Sequence, residues 1–293
     1  MKRPANAKWM LMASMAIFGT LGPFVRRIGV TSGELALYRA MLAAAVIGVY
    51  LVVTRQKIPL GAIARQIPLL LISGVAMGFN WILLFEAYRY TAVSVATLSY
   101  YFAPVLVTAL CPFLFREKLT AGQVLCFVMS TVGLVLITGV GDISSGSSHL
   151  IGILFGLGAA VLYASVVLVN KFIRNVEGIH RTFLQFLAAI AVLIPYVART
   201  GGVTLGSMDF LGWVYLLIVG LVHTGLAYCM YFSSLKELPG QKAAILSYMD
   251  PLVAVAVSVA VLGEPITLLQ LLGGAMILGF TLLNELRPKA RSE

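Results

Sequence analysis

Charged residues are scarce in this chain of 293 residues. They make up 11% of the sequence, whereas hydrophobic residues make up 60% and the mean hydropathy is +0.97. A water-soluble domain could not bury so many apolar side chains, so lipid must cover part of the surface. The composition therefore excludes an ordinary soluble enzyme or binding module and indicates an integral membrane protein.

Residues that build metal sites and covalent catalytic sites are also few. The chain has three cysteines and three histidines, with no CxxC pair, no HExxH motif and no metal-ligand spacing among them. We therefore expect no metal, no cofactor and no enzymatic activity. One pattern argues otherwise, because GVGD at 139–142 matches the GxGD motif of intramembrane aspartyl proteases. Asp142 follows an apolar run and lacks a Tyr-Asp partner motif, so an intramembrane enzyme is kept only as an alternative.

The apolar residues form ten runs that are long enough to cross a hydrocarbon core of about 30 Å as helices. The runs are continuous rather than alternating, which excludes membrane-spanning strands. The sequence thus predicts an all-α membrane protein with ten transmembrane helices, at approximately 9–28, 34–53, 67–88, 91–115, 120–139, 149–170, 182–198, 210–232, 241–262 and 266–284.

The second half of the chain repeats the first at an offset of 147 residues. Each copy carries five runs, and five is odd, so the second copy must cross the bilayer in the opposite sense. Secondary transporters often use such inverted repeats to build two halves around a central site. We predict a 5+5 inverted repeat, with copies at 1–140 and 149–287 and a Gly/Ser-rich linker at 141–148. Residues 78–129 and 225–276 align without a gap, and their identities include Gly78/Gly225, Phe85/Phe232, Ala96/Ala243, Tyr101/Tyr248, Pro104/Pro251, Glu117/Glu264, Thr120/Thr267, Gln123/Gln270, Leu125/Leu272 and Met129/Met276.

The basic residues predict the orientation of the chain. The formal net charge is +10, from 21 Lys and Arg residues against 11 Asp and Glu residues. With the N-terminus inside, most of the basic residues fall on the cytoplasmic side, and the positive-inside rule then places both termini in the cytoplasm. We expect a multi-pass protein of the cytoplasmic (inner) membrane, surrounded by membrane lipid, with no nucleic-acid partner. The basic residues left on the other side are Arg26, Arg27, Arg39, Arg89 and Arg199.

Asp250 is the polar residue that packing explains least. It lies ten residues into the ninth run, where a charged side chain costs about 2.5–3.5 kcal/mol. Pro251 cannot donate to the carbonyl of Ser247, so a kink is expected there, and Pro104 repeats it in the first copy. Ser247 shares a helix face with Asp250, and the repeat maps Ser247 onto Tyr100. These side chains predict a central cavity that binds a cation or a proton; alternatively, Asp250 is a neutral acid that fixes helix packing.

Three other polar groups lie deep in the apolar runs. Asn80 and His223 are near the centres of the third and eighth runs, where they either bind substrate or join helices by hydrogen bonds. Arg39 lies near the outer end of the second run. It snorkels, pairs with Glu34 or Glu86, or holds an anionic group of the substrate.

Aromatic residues are frequent on the same runs. Such rings beside Asp250 suit an organic ammonium through cation–π contact, although interfacial belts and lipid-facing packing explain them equally well. Tyr248 is expected to point away from Asp250, since two residues rotate a helix by about 200°, and it is left out of the site. The rings considered for the cavity are Trp81, Tyr88, Tyr163, Tyr228 and Tyr231.

Two glutamates occupy equivalent positions at the ends of the fourth and ninth runs. Glu117 and Glu264 each precede a threonine, Thr120 or Thr267, by three residues. A threonine N-cap with a preceding acid is typical of a helix start. We expect a structural role for both acids.

Several segments resemble the drug/metabolite transporter superfamily, in its ten-helix EamA-type branch. They are ELALYRAMLAA at 34–44, LFEAYRYTAVSVATLSYYFAPVLVTAL at 84–110, FREKLTAGQ at 115–123, and YFSSLKELPGQKAAILSYMDPLVAVAVSVAVLGEPITLLQLLGGAMILG at 231–279. The resemblance implies a central cavity formed mainly by helices 1–4 and 6–9, often in an exporter of amino acids or related metabolites. Members often carry Glu where this chain has Asp250.

The function predicted from these features is secondary transport of a small polar organic metabolite by alternating access, in the direction of export. A zwitterion could place its ammonium at Asp250 and its carboxylate toward Arg39, with Asn80 between them. The alternatives are a proton-coupled transporter of an organic cation or drug, and a channel-like or scaffold membrane protein. Both halves are in one chain, so no oligomer is required.

Overall fold

The computed structural model describes residues 4–56, 60–115, 120–138, 147–174, 176, 178–238, 243 and 246–286. Helices fill most of these ranges and no β-strand occurs within them, which confirms the all-α prediction. A 3-10 turn covers Leu205–Ser207, and a π-helical segment, Ile218–Leu226, joins α11 to α12. The helices are α1 (Pro4–Gly19), α2 (Leu21–Arg26), α3 (Ser32–Val53), α4 (Leu60–Ala64), α5 (Ile67–Tyr90), α6 (Val93–Tyr100), α7 (Ala103–Phe115), α8 (Ala121–Thr138), α9 (Ser147–Asn170), α10 (Gly178–Thr200), α11 (Phe210–Leu217), α12 (Ala227–Leu235), α13 (Met249–Ala260) and α14 (Leu268–Leu286).

Seven helical segments within the described ranges are long and apolar enough to cross a membrane. They are Asn6–Arg26, Ser32–Val53, Ile67–Tyr90, Val93–Leu110, Ser148–Asn170, Gly178–Thr200 and Phe210–Leu235. Three shorter apolar helices, Ala121–Ile137, Met249–Ala260 and Leu268–Leu283, fall at the fifth, ninth and tenth predicted runs. The described helices are therefore sufficient for a multi-pass membrane protein. The full count of ten transmembrane helices stays a prediction. Residues 141–146 of the predicted linker lie outside the described residues.

Local hydrogen bonds explain where several helices begin. Thr31 caps α3, since its hydroxyl accepts from the backbone of Glu34 while the Glu34 carboxylate accepts from the backbone of Thr31. The two predicted threonine caps are also present. Thr120 exchanges bonds with Gln123, and Thr267 does the same with Gln270. Glu117 lies outside the described residues.

Much of the helix packing within the described ranges is repeated when the two copies are exchanged. The contact of α5 with α9 corresponds to that of α1 with α12, and the contact of α7 with α9 corresponds to that of α1 with α13. In the same way, α5 packs on α10 as the π-helical segment packs on α3, while the α3–α10 and α8–α14 contacts are their own counterparts. Most of these contacts join one copy to the other. The interface between the copies therefore runs through the centre of the molecule.

The packing explains why glycine occurs at the equivalent positions 78 and 225. A Cβ added at Gly78 would lie 3.3 Å from Ala189 Cβ on α10, and one added at Gly225 would lie 2.6 Å from Val46 Cβ on α3. The two glycines thus occupy equivalent crossings, where a helix of one copy approaches a helix of the other. Close approach requires the missing side chain, which accounts for the identity in both copies.

The helix of the fourth run is broken, and the backbone also turns just before α13. The helix of the fourth run stops at Tyr100 and resumes at Ala103, while a turn at Tyr248 precedes α13. The breaks lie at equivalent positions in the two copies, each beginning three residues before the repeated proline. Both prolines fall in the first turn of the following helix, the position in which proline is tolerated.

Candidate functional site

A cavity of about 480 Å³ lies between the two copies of the repeat. Its lining residues lie on or beside the first four apolar runs of the first copy and the corresponding four runs of the second copy. Among the described residues, the lining has 28 members, of which ten are aromatic and three, Arg39, Arg181 and Asp250, are charged. The described lining is therefore rich in aromatic side chains and poor in charged ones.

The structure brings together six of the residues singled out from the sequence and leaves three others outside. The described lining includes Asp250, Tyr100, Ser247, Arg39, Trp81 and Pro104. It does not include Asn80, His223 or Pro251. The role of all nine in binding stays a prediction, because the chain is described without a ligand.

Asn80 and His223 bond to neighbouring helices. Asn80 is buried on α5, and its side-chain nitrogen donates to the carbonyl of Ala159 on α9 at 2.6 Å. His223 Nε2 lies 3.0 Å from the hydroxyl of Thr20, the residue that separates α1 from α2. These contacts correspond to the interhelical bonds offered as the alternative for both residues.

Asp250 is held by a tyrosine of the other copy. The Tyr101 hydroxyl donates to Asp250 Oδ2 at 2.5 Å, and both side chains line the cavity. Ser247 lines the same wall, but its hydroxyl donates within its own helix, to the carbonyl of Ala243 at 2.9 Å. Sequence reasoning missed Tyr101. The signal was present, since Tyr101 and Tyr248 are one of the repeated identities.

Tyr248 corrects an expectation about helix direction. A continuous helix would point it away from Asp250, but the backbone turns at Tyr248 and its side chain lines the cavity. The break therefore admits a residue that regular helical geometry would exclude. The rings of Tyr88, Tyr163 and Tyr228 also line the cavity, as does Tyr231.

Arg39 is a buried cation on the cavity wall. Only 4% of the residue is exposed. Its guanidinium carbon lies 4.7 Å from the centre of the Trp81 ring and 5.4 Å from that of Phe85. Nε donates to the Thr224 hydroxyl at 2.6 Å, whereas Nη1 has no hydrogen-bond partner among the described residues. Cation–π contact supports the charge, and Nη1 is buried without a partner among the described residues.

Neither glutamate considered as a partner of Arg39 binds it. Glu34 accepts from the backbone nitrogen and the hydroxyl of Thr204, both at 2.6 Å. Glu86 lies 3.8 Å from Arg89 Nη1. The ion pair with Glu34 or Glu86, one of the alternatives considered for Arg39, is therefore not seen among the described residues, since each acid contacts other groups.

A π-helical turn places the partner of Arg39. Within Ile218–Leu226 the Thr224 hydroxyl donates to the carbonyl of Val219, five residues earlier, at 2.9 Å. The same oxygen accepts from Arg39, so the widened turn presents a fixed acceptor to the guanidinium. Local π-helices often occur at functional sites, where they redirect side chains in this way.

The two ends of the cavity differ. Asn170, Arg181 and Leu235 line it, stand at or near helix ends and are half-buried, so the cavity reaches that face of the molecule. We call this the Arg181 end. The opposite end lies near Thr204, because α10 runs about 30 Å from Arg181 to the Glu34–Thr204 contact.

An ion pair joins the two copies at that opposite end, which we call the Glu264 end. Glu264 accepts from the Arg26 guanidinium, the Ser258 hydroxyl and the backbone nitrogen of Val93, the last at 2.8 Å. Arg26 Nε donates to the carbonyl of Tyr88 at 2.8 Å, and the Tyr88 side chain lines the cavity. Glu264 thus does more than precede a helix cap. It joins the end of α13 to α2 and to the start of α6.

No group of three or more His, Cys, Asp and Glu side chains in the described ranges could hold a metal ion. Cys126 and Cys229 are both buried.

The model of the EamA-like transporter family matches the chain twice, at residues 6–139 and 150–285. The chain belongs to this family, and the two matches coincide with the two copies seen in the sequence. It is therefore a multi-pass membrane protein of a transporter family.

Known relatives agree with this assignment. The chain is 30% identical to the uncharacterized transporter YxxF of Bacillus subtilis (strain 168), over 99% of this chain and 93% of that one. It is 32% identical to an uncharacterized transporter of Archaeoglobus fulgidus, over 67% and 68% of the two chains. A protein of known crystal structure superposes with a TM-score of 0.65 at 16% identity, over 96% of this chain and 98% of that one, which shows the fold alone.

Proposed function

We propose that this protein is a secondary transporter that exports a small zwitterionic metabolite, such as an amino acid, across the cytoplasmic membrane by alternating access. The observation that carries the proposal is the presence of Arg39 and Asp250, opposite in charge, on the wall of one cavity between the two copies. A zwitterion complements both charges at once. Its carboxylate binds Arg39 and its ammonium binds Asp250.

The state of Arg39 supports the carboxylate half of this arrangement. A buried guanidinium without an acidic partner is unfavourable, and a ligand carboxylate would supply the missing charge and accept from Nη1. The guanidinium carbon lies 4.7 Å from the centre of the Trp81 ring, and Nε is held by the Thr224 hydroxyl. The group is thus preorganised to bind a planar anion.

The two ends of the cavity support alternating access. The cavity reaches the face at the Arg181 end, whereas Arg26 and Glu264 join the two copies at the other end. By the positive-inside rule the Arg181 end is cytoplasmic, so this arrangement corresponds to an inward-facing transporter. Opening to the outside requires Glu264 to separate from the first copy, and the broken helices at Tyr101 and Tyr248 provide places where each half can bend.

The aromatic lining favours a second candidate, a proton-coupled transporter of organic cations. Ten rings on the described lining of the cavity that contains Asp250 would suit a quaternary or protonated amine. Arg39 opposes such a ligand by charge repulsion, which is why the zwitterion is preferred. Measuring pH inside proteoliposomes during transport separates the coupling mechanisms, since uncoupled flux leaves the lumen pH unchanged.

Binding to purified variants tests the proposal. The twenty protein amino acids are screened by titration, and the tightest ligand is compared with its deaminated acid and its decarboxylated amine; for leucine these are 4-methylpentanoate and 3-methylbutylamine. Arg39→Gln and Asp250→Asn are each expected to weaken zwitterion binding by at least about 2 kcal/mol, roughly thirtyfold, because each leaves one ligand charge unpaired. Arg27→Gln, a matched change outside the cavity, is expected to have no effect. Unchanged or tighter binding in Arg39→Gln, with loss only in Asp250→Asn, would assign an organic cation instead.

A further inference from the structure

We infer that Tyr101 is a positioning residue for the ammonium subsite, holding the Asp250 carboxylate in place from the other copy of the repeat. The inference rests on the proposed function, in which Asp250 binds a ligand ammonium. In this inference Tyr101 makes the subsite more selective for an ammonium group, although Tyr101 itself carries no charge.

The geometry places Tyr101 at a junction of the two copies. It belongs to the break between α6 and α7, whereas Asp250 lies in the first turn of α13. The hydroxyl of Tyr101 lies 2.5 Å from Asp250 Oδ2, a distance typical of a bond between a hydroxyl and a charged acceptor. The bond therefore links the broken helix of the first copy to the helix that follows the equivalent break in the second.

The break is what makes this contact possible. Neighbouring residues on a continuous helix point about 100° apart, yet Tyr100 and Tyr101 both line the cavity. Their rings stand perpendicular, at 89°, with centres 5.9 Å apart. Tyr100 presents a ring to the chamber and also contacts the ring of Tyr163, while Tyr101 directs its hydroxyl to the carboxylate. The two tyrosines thus have different tasks.

The hydrogen bond leaves room for a ligand at Asp250. An ionised carboxylate has two oxygens with about four acceptor positions. Tyr101 takes a position on Oδ2, and no hydrogen bond within the described part of the chain uses Oδ1. A carboxylate already fixed in orientation loses less conformational freedom when it binds an ammonium, so Tyr101 strengthens that contact specifically.

Tyr101→Phe tests the inference, because it removes the hydroxyl and keeps the ring. The ligands are the tightest amino acid from the screen and its two analogues. We expect the amino acid and the amine to bind about tenfold more weakly, while the deaminated acid, which makes no contact with Asp250, binds as before. In an Asp250→Asn background the same substitution is expected to cause no further loss for the amine.

Two controls separate positioning from general stability. Tyr196→Phe removes a hydroxyl outside the cavity, from a ring packed on Phe79, and is expected to leave all three affinities unchanged. Tyr101→His keeps a donor and is expected to retain part of the preference for ammonium, which makes it the fallback if Tyr101→Phe does not fold. Equal loss for all three ligands, or no loss for the amine, would overturn the inference. Failure of the wild-type protein to bind any amino acid would instead contradict the proposed function, and the inference would fall with it.

Discussion

The carboxylate of Glu264 is paired with the guanidinium of Arg26, and this pair joins the two copies of the repeat at one end of the cavity. Arg26 also donates to two backbone carbonyls, those of Tyr88 and Thr91. Glu264 accepts from the first backbone nitrogen of α6. The Arg26–Glu264 pair and its hydrogen bonds thus connect α2, α5, the start of α6 and the end of α13.

Arg26→Gln is expected to favour opening at the Glu264 end, because the substitution removes the ion pair. The measurement is the rate at which a membrane-impermeant maleimide, added to intact cells, labels Thr97→Cys in a cysteine-free background. Thr97 lines the cavity, and we expect its labelling to rise several-fold. Arg27→Gln is the matched control, since Arg27 lies one residue away and bonds only to the Tyr215 hydroxyl among the described contacts. Equal labelling in the two variants would show that the ion pair does not hold this end closed.

Thr224→Val is expected to weaken binding of carboxylate ligands about tenfold, because Arg39 Nε loses its acceptor and the guanidinium is no longer held in one orientation. Titration with the amino acid, its deaminated acid and its amine measures the effect. The amine makes no contact with Arg39 and should bind no more weakly than before. Thr224→Ser keeps the hydroxyl and is expected to bind like wild type; a loss there as large as in the valine variant would assign Thr224 a packing role only.

Gly225→Ala is expected to lower stability by about 1–3 kcal/mol, because the added methyl group would overlap Val46. Gly279→Ala provides the comparison, since a Cβ there meets no atom within 4 Å. Thermal unfolding in detergent measures both. A similar melting temperature for the two variants would mean that the crossing of α3 with the π-helical segment adjusts freely.

The repeat made much of this fold predictable from the sequence. Continuous apolar runs indicate helices whatever their partners, and an odd number of runs in each copy implies inversion. The threonine caps followed from local spacing, and Thr120 and Thr267 cap their helices as expected. These features depend on neighbours along the chain or on the offset of 147 residues.

The candidate site was less predictable, because it depends on breaks in helices and on which distant groups meet. Tyr101 and Tyr248 line the cavity only because the backbone turns at both positions. The partner of Arg39 is Thr224, which a π-helical turn places, and no local pattern specifies that turn. The contact of Arg26 with Glu264 joins residues 238 positions apart.

Solute flux in proteoliposomes tests the central claim most directly. Purified protein is reconstituted into proteoliposomes whose lumen contains the amino acid that binds most tightly. Its exchange with the same radiolabelled amino acid, added outside, is followed over time. A transporter working through this cavity is expected to show saturable exchange that is lost in both Asp250→Asn and Arg39→Gln and retained in Arg27→Gln. Absence of flux for every amino acid, amine and sugar tested, or ion currents far above the turnover of a carrier, would contradict the account.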